Sequence, residues 1–343
     1  MSAMRLARWD GNTLAIERVP RPEPAPGEAR VRLTACGVCG TDLHFRHAGL
    51  WPVGHTPGHE MLGHVVAHGE GATRPAIGTR VAVEPLRGCG DCTLCTSGRM
   101  NLCPRLALFG IHLPGGFAEE ICVPGERLHP VPEPLTPALG ALAEPMAVCI
   151  HGLRQGGIAS GQRVLVLGAG TIGLLTIAAA KALGAAEVWI TARHDHQVEL
   201  ARALGADRVL GEAEARPEQL APDAENAAID LVVETVGGSA NTLEAGIAAV
   251  RPGGMIAVLG LFDQVSLPPF PLLLKETHLV WSNCYAQGPP RADFADAIDL
   301  LAADAGRLSA LTTHQRPLDE IETAFAVAGD KGTGAVKVTL LLD

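Results

Sequence analysis

Several things are scarce in this chain. Aromatic residues are 3% of its 343 positions, with a single Tyr, and only four of the 27 basic residues are Lys; Ala, Gly, Pro and Arg take their place. Positive charge is outnumbered by 37 Asp and Glu, for a net charge of -10. That balance argues against a nucleic-acid backbone or an anionic membrane as the main partner. Long apolar runs are missing too. The longest stretch without a charge, 164–180, is 17 residues and is interrupted by Gly168, Gly170 and Gly173, so it only reaches the lower limit for a membrane span. The first ten residues carry two Arg, Trp9 and Asp10 rather than an apolar signal core, and the expectation is a soluble, cytoplasmic protein. Charged residues are 19% against 47% hydrophobic, which excludes disorder and coiled coil and leaves room for about two domains of roughly 150 residues.

The texture of the sequence changes partway along. Before about Thr136, short β-like runs (30–33, 64–67, 79–83) alternate with turn clusters such as the Pro-rich segment 20–27, and long helical patterns are scarce. Beyond it, strand, glycine turn and helix repeat: strands at 163–167, 187–191, 230–234 and 255–259, helices at 171–183, 196–204 and 243–250. Alternating β and α elements imply right-handed crossovers and a parallel sheet with helices on both faces. The tail is expected to hold helices at 293–303 and 318–328 and a strand at 335–341.

Nine cysteines are present, and four of them follow C-x2-C-x2-C-x7-C at Cys89, Cys92, Cys95 and Cys103. A disulfide framework suits a small secreted domain and not this chain, so metal is the better reading. Four thiolates complete a tetrahedral zinc shell with no open position, which is a structural site; an iron–sulfur cluster uses the same four ligands. Two further clusters, Cys36-Gly-Val-Cys39-Gly-Thr41-Asp42-Leu-His44 and Gly58-His59-Glu60, hold the Cys, His and carboxylate types that zinc takes in open, catalytic sites. A third, Ala143-Glu144-Pro145, precedes Gly168-Ala-Gly170-Thr171-Ile172-Gly173. That last motif follows one expected strand and opens a helix, the dinucleotide fingerprint: a tight turn at Gly168, close approach to a pyrophosphate at Gly170, and close helix–strand packing at Gly173.

Taken together, in this order, CGVCGTDLH, GHE, the cysteine lobe, GGFAEE, EPMAVCIHG and VLGAGTIG resemble the zinc-dependent medium-chain dehydrogenase/reductases, nearest in pattern to the sorbitol and threonine dehydrogenase branch. The resemblance covers essentially the whole chain. It implies a GroES-like, β-rich catalytic domain (1–150, completed by 288–343) and a Rossmann doubly wound domain (151–287), hence an α/β fold. It implies two zincs per chain, the catalytic one on Cys39, His59 and a carboxylate. Glu144 stands where classical alcohol dehydrogenases carry a second Cys, and Glu60 enters the shell or sits behind it. By the same analogy Cys36 is not a ligand, Asp42 accepts from the His59 imidazole, Thr41 takes the substrate proton and His44 passes it on. The implied reaction moves a hydride between an alcohol or polyol, or its carbonyl, and a nicotinamide cofactor. A zinc-free quinone or enone reductase on the same fold, or a non-enzymatic NADP-binding protein, are the competing readings. One departure is Pro114 before Gly115, where the family carries an Asp-Gly pair. Phe45, Trp51 and Phe109 are either pocket lining or core.

The cofactor expected is NADP rather than NAD. NAD binders need a carboxylate about 20 residues past the glycine loop to accept from the adenosine ribose. Here the strand ends at Thr191 and Ala192, followed by Arg193 and His194. A guanidinium can grip a 2′-phosphate bidentately. Asp195 is the alternative, restoring NAD binding if the loop shifts by three residues. The partners expected are a small-molecule alcohol or carbonyl and further copies of the chain, as homodimer or homotetramer, because the apolar run 278–284 would be a liability as an open strand edge.

Overall fold

A computed structural model describes residues 3–133, 135–220, 229–288 and 292–342. Its contacts divide the chain into two compact units, Met1–Glu144 with Ala286–Asp343, and Pro145–Tyr285. The sequence places these boundaries at 150/151 and 287/288. The first difference arises because the helix Ala143–Gln155 runs through the division without a break.

The first unit is built on the strand Glu28–Val38. Its first half alternates, with Ala29, Val31 and Leu33 buried and Arg30 and Arg32 turned outward, as a pleated strand with one covered face requires. Its second half is buried throughout. It pairs antiparallel with Glu60–His68, Glu120–Pro124 and Val338–Leu341, at the centre of a seven-stranded sheet. The register sets Val338 opposite Val38 and Glu60 opposite Gly37. Segments from the two ends of the chain therefore meet beside residue 38. Trp9, Trp51, Phe109, Phe117 and Phe325 fill the core, with Trp9 and Trp51 edge-on at 5.7 Å and Phe117 and Phe325 at 5.8 Å. Trp51 and Phe109 are thus core residues, and Phe45 packs against the same cluster.

Two elements here depart from the sequence reading. An antiparallel hairpin joins Ala3–Trp9 to Leu14–Pro20. A nine-residue helix, Gly40–Ala48, stands where no long helix is expected. Its signal is a capping box hidden by chemistry: Cys39 takes the place of the usual Ser or Thr, its sulfur accepting from the Thr41 N–H, while the Asp42 carboxylate accepts from the Cys39 N–H at 3.0 Å.

The second unit is a six-stranded parallel sheet in the order Arg208–Leu210, Glu187–Thr191, Arg163–Leu167, Ile229–Glu234, Val250–Val258, His278–Trp281. This is the doubly wound order 3-2-1-4-5-6, and right-handed crossovers put its helices on both faces. Chain order reverses between Arg163–Leu167 and Ile229–Glu234, and that is the switch point where such sheets take ligands. The central strand reads as an uninterrupted apolar run because both of its faces are covered. Among the described residues, no helix is long and apolar enough to cross a membrane.

Candidate active site

The end of the central strand of the first unit delivers Cys39 as the N-cap of the helix Gly40–Ala48, and the neighbouring strand starts at Glu60, directly after His59. Pairing of these two strands brings Cys39, His59 and Glu60 together, with one ligand atom from each lying within 4.8 Å of the others. Asp42, one helical turn inside the cap, is fully buried and faces His59 at 3.6 Å between Oδ1 and Nδ1, beyond hydrogen-bond length. Neither atom has a hydrogen-bond partner among the described residues. Glu144, at the start of its own helix, is buried, and its charge acts on His59. Thr41 is half-buried in the first turn of the helix, and His44, three residues on, is exposed. Cys36 lies outside the cluster in the core, where burial first, then Asp42 and Glu60, push its thiol well above the ordinary range.

One residue of this constellation escaped the sequence reading. Lys337 is buried and its Nζ donates to both carboxylate oxygens of Glu60 at 2.7 Å, and to the Val38 carbonyl at 3.1 Å. The carboxylate lies so close over Gly37 that a Cβ there would be 1.9 Å from Glu60 Oε2. A signal was present: a Lys inside an apolar β-like run must find a partner if the strand is buried.

The electrostatics of the cluster suit a cation. Burial disfavours the charged imidazole of His59, but Asp42, then Cys39 and Glu144, outweigh it and hold its pKa well above the usual value. Burial pushes the Glu144 carboxyl up to about 7, against the pull of His59 and with Glu60 adding to the rise. Burial likewise raises Asp42, with His59 and the Cys39 N–H opposing. Three carboxylates and a thiol thus crowd a pocket whose positive charge comes from His59 and Lys337. A divalent cation on the Cys and His donors would relieve that excess, and thiolate with imidazole is zinc chemistry.

The cysteine lobe satisfies a second test. Sulfur–sulfur distances are 3.8 Å for Cys89–Cys95, 3.8 Å for Cys92–Cys103 and 3.5 Å for Cys89–Cys103, and no cysteine is in a disulfide. Four thiolates about 2.3 Å from one zinc stand about 3.8 Å apart, so the lobe has the size of the ion. Backbone N–H groups, that of Cys89 first, draw the Cys103 thiol down to about 6 and that of Cys95 draws Cys92 down, while Cys89, through its Asp91 contact, and Cys95, through burial, are raised. Gly98, at φ +79°, packs so closely on Gly288 that a Cβ would stand 2.4 Å from its Cα.

In the second unit the glycine loop caps the helix Thr171–Ala182. Gly168 has φ +100°, and a Cβ on Gly173 would meet the Gly168 carbonyl oxygen at 1.8 Å. The space beside Gly170 is open, as an approach for phosphate to the helix N-terminus requires. Thr191 ties the loop to the next strand, its Oγ accepting from the Gly168 N–H at 2.8 Å. Thr171 and Ile172 form the first turn. Beyond the strand, His194 is the N-cap of the helix Asp195–Ala203, with its ring stacked on His196 at 5.5 Å. The Arg193 guanidinium is 70% exposed but lies 3.1 Å from Glu212. A carboxylate is therefore near this position after all, brought by the segment after the strand Arg208–Leu210 rather than by the strand the count follows.

Comparison with known proteins agrees with both units. Residues 25–133 match the family described as alcohol dehydrogenase GroES-like domain, and residues 171–303 the zinc-binding dehydrogenase family. The L-threonine 3-dehydrogenase of Pyrococcus abyssi is 35% identical over 337 residues, 94% of this chain and 93% of that protein. Human sorbitol dehydrogenase is 32% identical, covering 96% and 93%. Among solved structures, a chain described as a zinc-binding dehydrogenase from Sinorhizobium meliloti 1021, bound to NADP, superposes with a TM-score of 0.89 at 33% identity, covering 99% of this chain and 100% of that one. An alcohol dehydrogenase of E. coli CFT073 complexed with NADH gives a TM-score of 0.90 at 27% identity, with coverage of 99% and 100%.

Proposed function

This chain belongs to the zinc-dependent alcohol dehydrogenase family, whose members act on CH–OH donors, and from that premise we propose that it moves a hydride between an alcohol or polyol, or the matching aldehyde or ketone, and NADP(H). The observation that carries the reading is the set of Cys39, His59 and Glu60, with one ligand atom from each within 4.8 Å of the others and His59 and Glu60 buried. We assign Cys39, His59 and Glu144 to hold the catalytic zinc. Glu60 belongs to the same cluster, and because Lys337 already engages both of its oxygens we assign it to stand behind the metal or to enter the shell by releasing that lysine. Cys89, Cys92, Cys95 and Cys103 hold the second, structural zinc.

When bound, the zinc acidifies an alcohol or polarises a carbonyl, and the nicotinamide carries the hydride. The chain's own residues manage the proton. The Thr41 hydroxyl takes it from the substrate, and His44, three residues on and so on the same helix face, passes it to water. Asp42 faces the His59 ring at 3.6 Å and balances its charge. Gly168, Gly170, Thr171, Ile172 and Gly173 cradle the pyrophosphate, Thr191 fixes the loop, and Arg193 with His194 meets the 2′-phosphate. Glu212 holds the Arg193 guanidinium until that phosphate replaces it.

A reducing compartment, the cytoplasm, suits nine cysteines of which none is in a disulfide. The assembly is a homodimer or homotetramer, joined through the open edge at His278–Trp281. A screen of alcohols, polyols and amino alcohols at 340 nm with each cofactor tests the reading. The expected result is turnover with a higher kcat/KM for NADP than for NAD, and loss of that preference in Arg193→Ala. A wild type favouring NAD, or a variant with its preference unchanged, would overturn the cofactor assignment.

A further inference from the structure

Glu234 is the last residue of the strand Ile229–Glu234, on the inner side of the switch point, and its side chain is fully buried. A carboxylate in that position has to be held by donors. Oε1 accepts from the Val236 N–H at 2.9 Å, the Gly237 N–H at 3.1 Å and the Thr242 hydroxyl at 2.7 Å. Among the described residues Oε2 has no such partner, and it lies where a Cβ on Gly260 would be 2.3 Å away. The backbone carbonyl of Glu234 meanwhile accepts from the Leu259 N–H at 2.8 Å and the Gly260 N–H at 3.2 Å. One residue therefore binds the segment that follows its own strand and abuts the segment that follows the next.

The segment it holds lies against the glycine loop. Thr235 donates its hydroxyl to the carbonyls of Leu167 at 2.8 Å and Gly168 at 3.2 Å. Val236 places its Cγ2 2.5 Å from where a Cβ on Gly168 would be, yet 45% of Val236 remains exposed. Gly237 and Gly238 turn the chain away at φ +65° and +63°. Residues 235–238 thus form a wall beside the loop that takes the pyrophosphate.

We propose that Glu234 is a positioning residue for the dinucleotide, holding residues 235–238 in register with the glycine loop. The proposal deepens the NAD(P) reading above and rests on it. In Glu234→Met the three donors lose their acceptor at similar side-chain length, whereas Glu234→Gln keeps an acceptor oxygen. Thr242→Val removes one donor and leaves the carboxylate. The measurement is NADPH and NADH affinity by calorimetry on the zinc-loaded protein, with kcat and both KM values from steady-state rates.

The expected result is a cofactor Kd raised tenfold or more in Glu234→Met, about threefold in Thr242→Val and less than threefold in Glu234→Gln. The KM for alcohol and the zinc content should stay unchanged. If Glu234→Met does not fold, the Thr242→Val value decides. Wild-type cofactor affinity in the folded variants, with only a lower melting temperature, would overturn the proposal and leave the NAD(P) reading standing. A wild type that binds neither nucleotide would overturn both.

Discussion

Lys337 and Glu60 form a buried ion pair, the two side chains 3% and 1% exposed, and such a pair is costly to break from one side. Lys337→Met leaves an uncompensated carboxylate and should lower stability by about 3–5 kcal/mol. The double variant Glu60→Gln/Lys337→Met should recover much of that loss, as read by urea unfolding. If the single variant is as stable as the wild type, the pair is not holding Glu60. A more exposed pair gives a contribution that depends on pH. Arg163 donates to both oxygens of Glu187 and, with Trp189 Nε1, holds that carboxyl down to about 2. A depressed folded-state pKa means the contribution is present above the ordinary 4.5 and fades as the pH falls toward about 2. Glu187 is 40% exposed, so solvent screening reduces the expected cost of Glu187→Gln to roughly 0.5–1 kcal/mol at neutral pH. Unfolding midpoints of variant and wild type should converge below pH 4.5; a constant gap would show that charge is not the cause.

At the scale of elements, the proposed function gives the cysteine lobe and the capped helix separate duties. The lobe consists of a four-residue helix, Thr93–Thr96, and a three-residue 3-10 turn, Met100–Leu102, neither long enough to be stable alone. Its order depends on the four sulfurs. Cys95→Ala should lose one zinc per chain, measured by atomic emission, and lower the melting temperature, because a structural metal contributes folding free energy. Cys39→Ala should abolish turnover and keep the lobe metal. Normal turnover in Cys39→Ala would end the assignment of the capped helix to catalysis. The cap explains the economy of that helix: the same thiol that starts it joins the cluster with His59 and Glu60, and the same Asp42 that completes the box faces His59.

For the molecule as a whole, the open edge of the six-stranded sheet asks for a partner. His278–Trp281 ends the sheet, and exposed Phe270, Leu273, Leu274 and Trp281 lie on this strand and the helix Pro269–Lys275 before it. Exposed apolar groups beside an unpaired edge mark an interaction surface. Sedimentation at micromolar concentration should show a dimer or tetramer, and Trp281→Glu should shift it toward monomer. A monomeric wild type would refute this.

How much was legible in the sequence follows from how far each feature reaches along the chain. The four-cysteine lobe spans residues 89 to 103, the glycine loop six residues, and the strand Arg163–Leu167 was read to its ends. In each, spacing alone sets the chemistry, because turn geometry and donor type are local. The clusters around Cys39 and His59 were legible as ligand types, and their order identified the family. The helix Gly40–Ala48 was hidden because its cap is a sulfur, a rare substitute for a hydroxyl. Tertiary structure alone decided the rest. It set Lys337 on Glu60 across 277 residues of chain, because the last strand docks on the central one. It placed Glu212 beside Arg193 by laying two parallel strands side by side, where a count along one strand found no acid. A buried charge takes whatever partner the sheet register brings within reach, and that register is a property of the packed sheet, which no local spacing encodes.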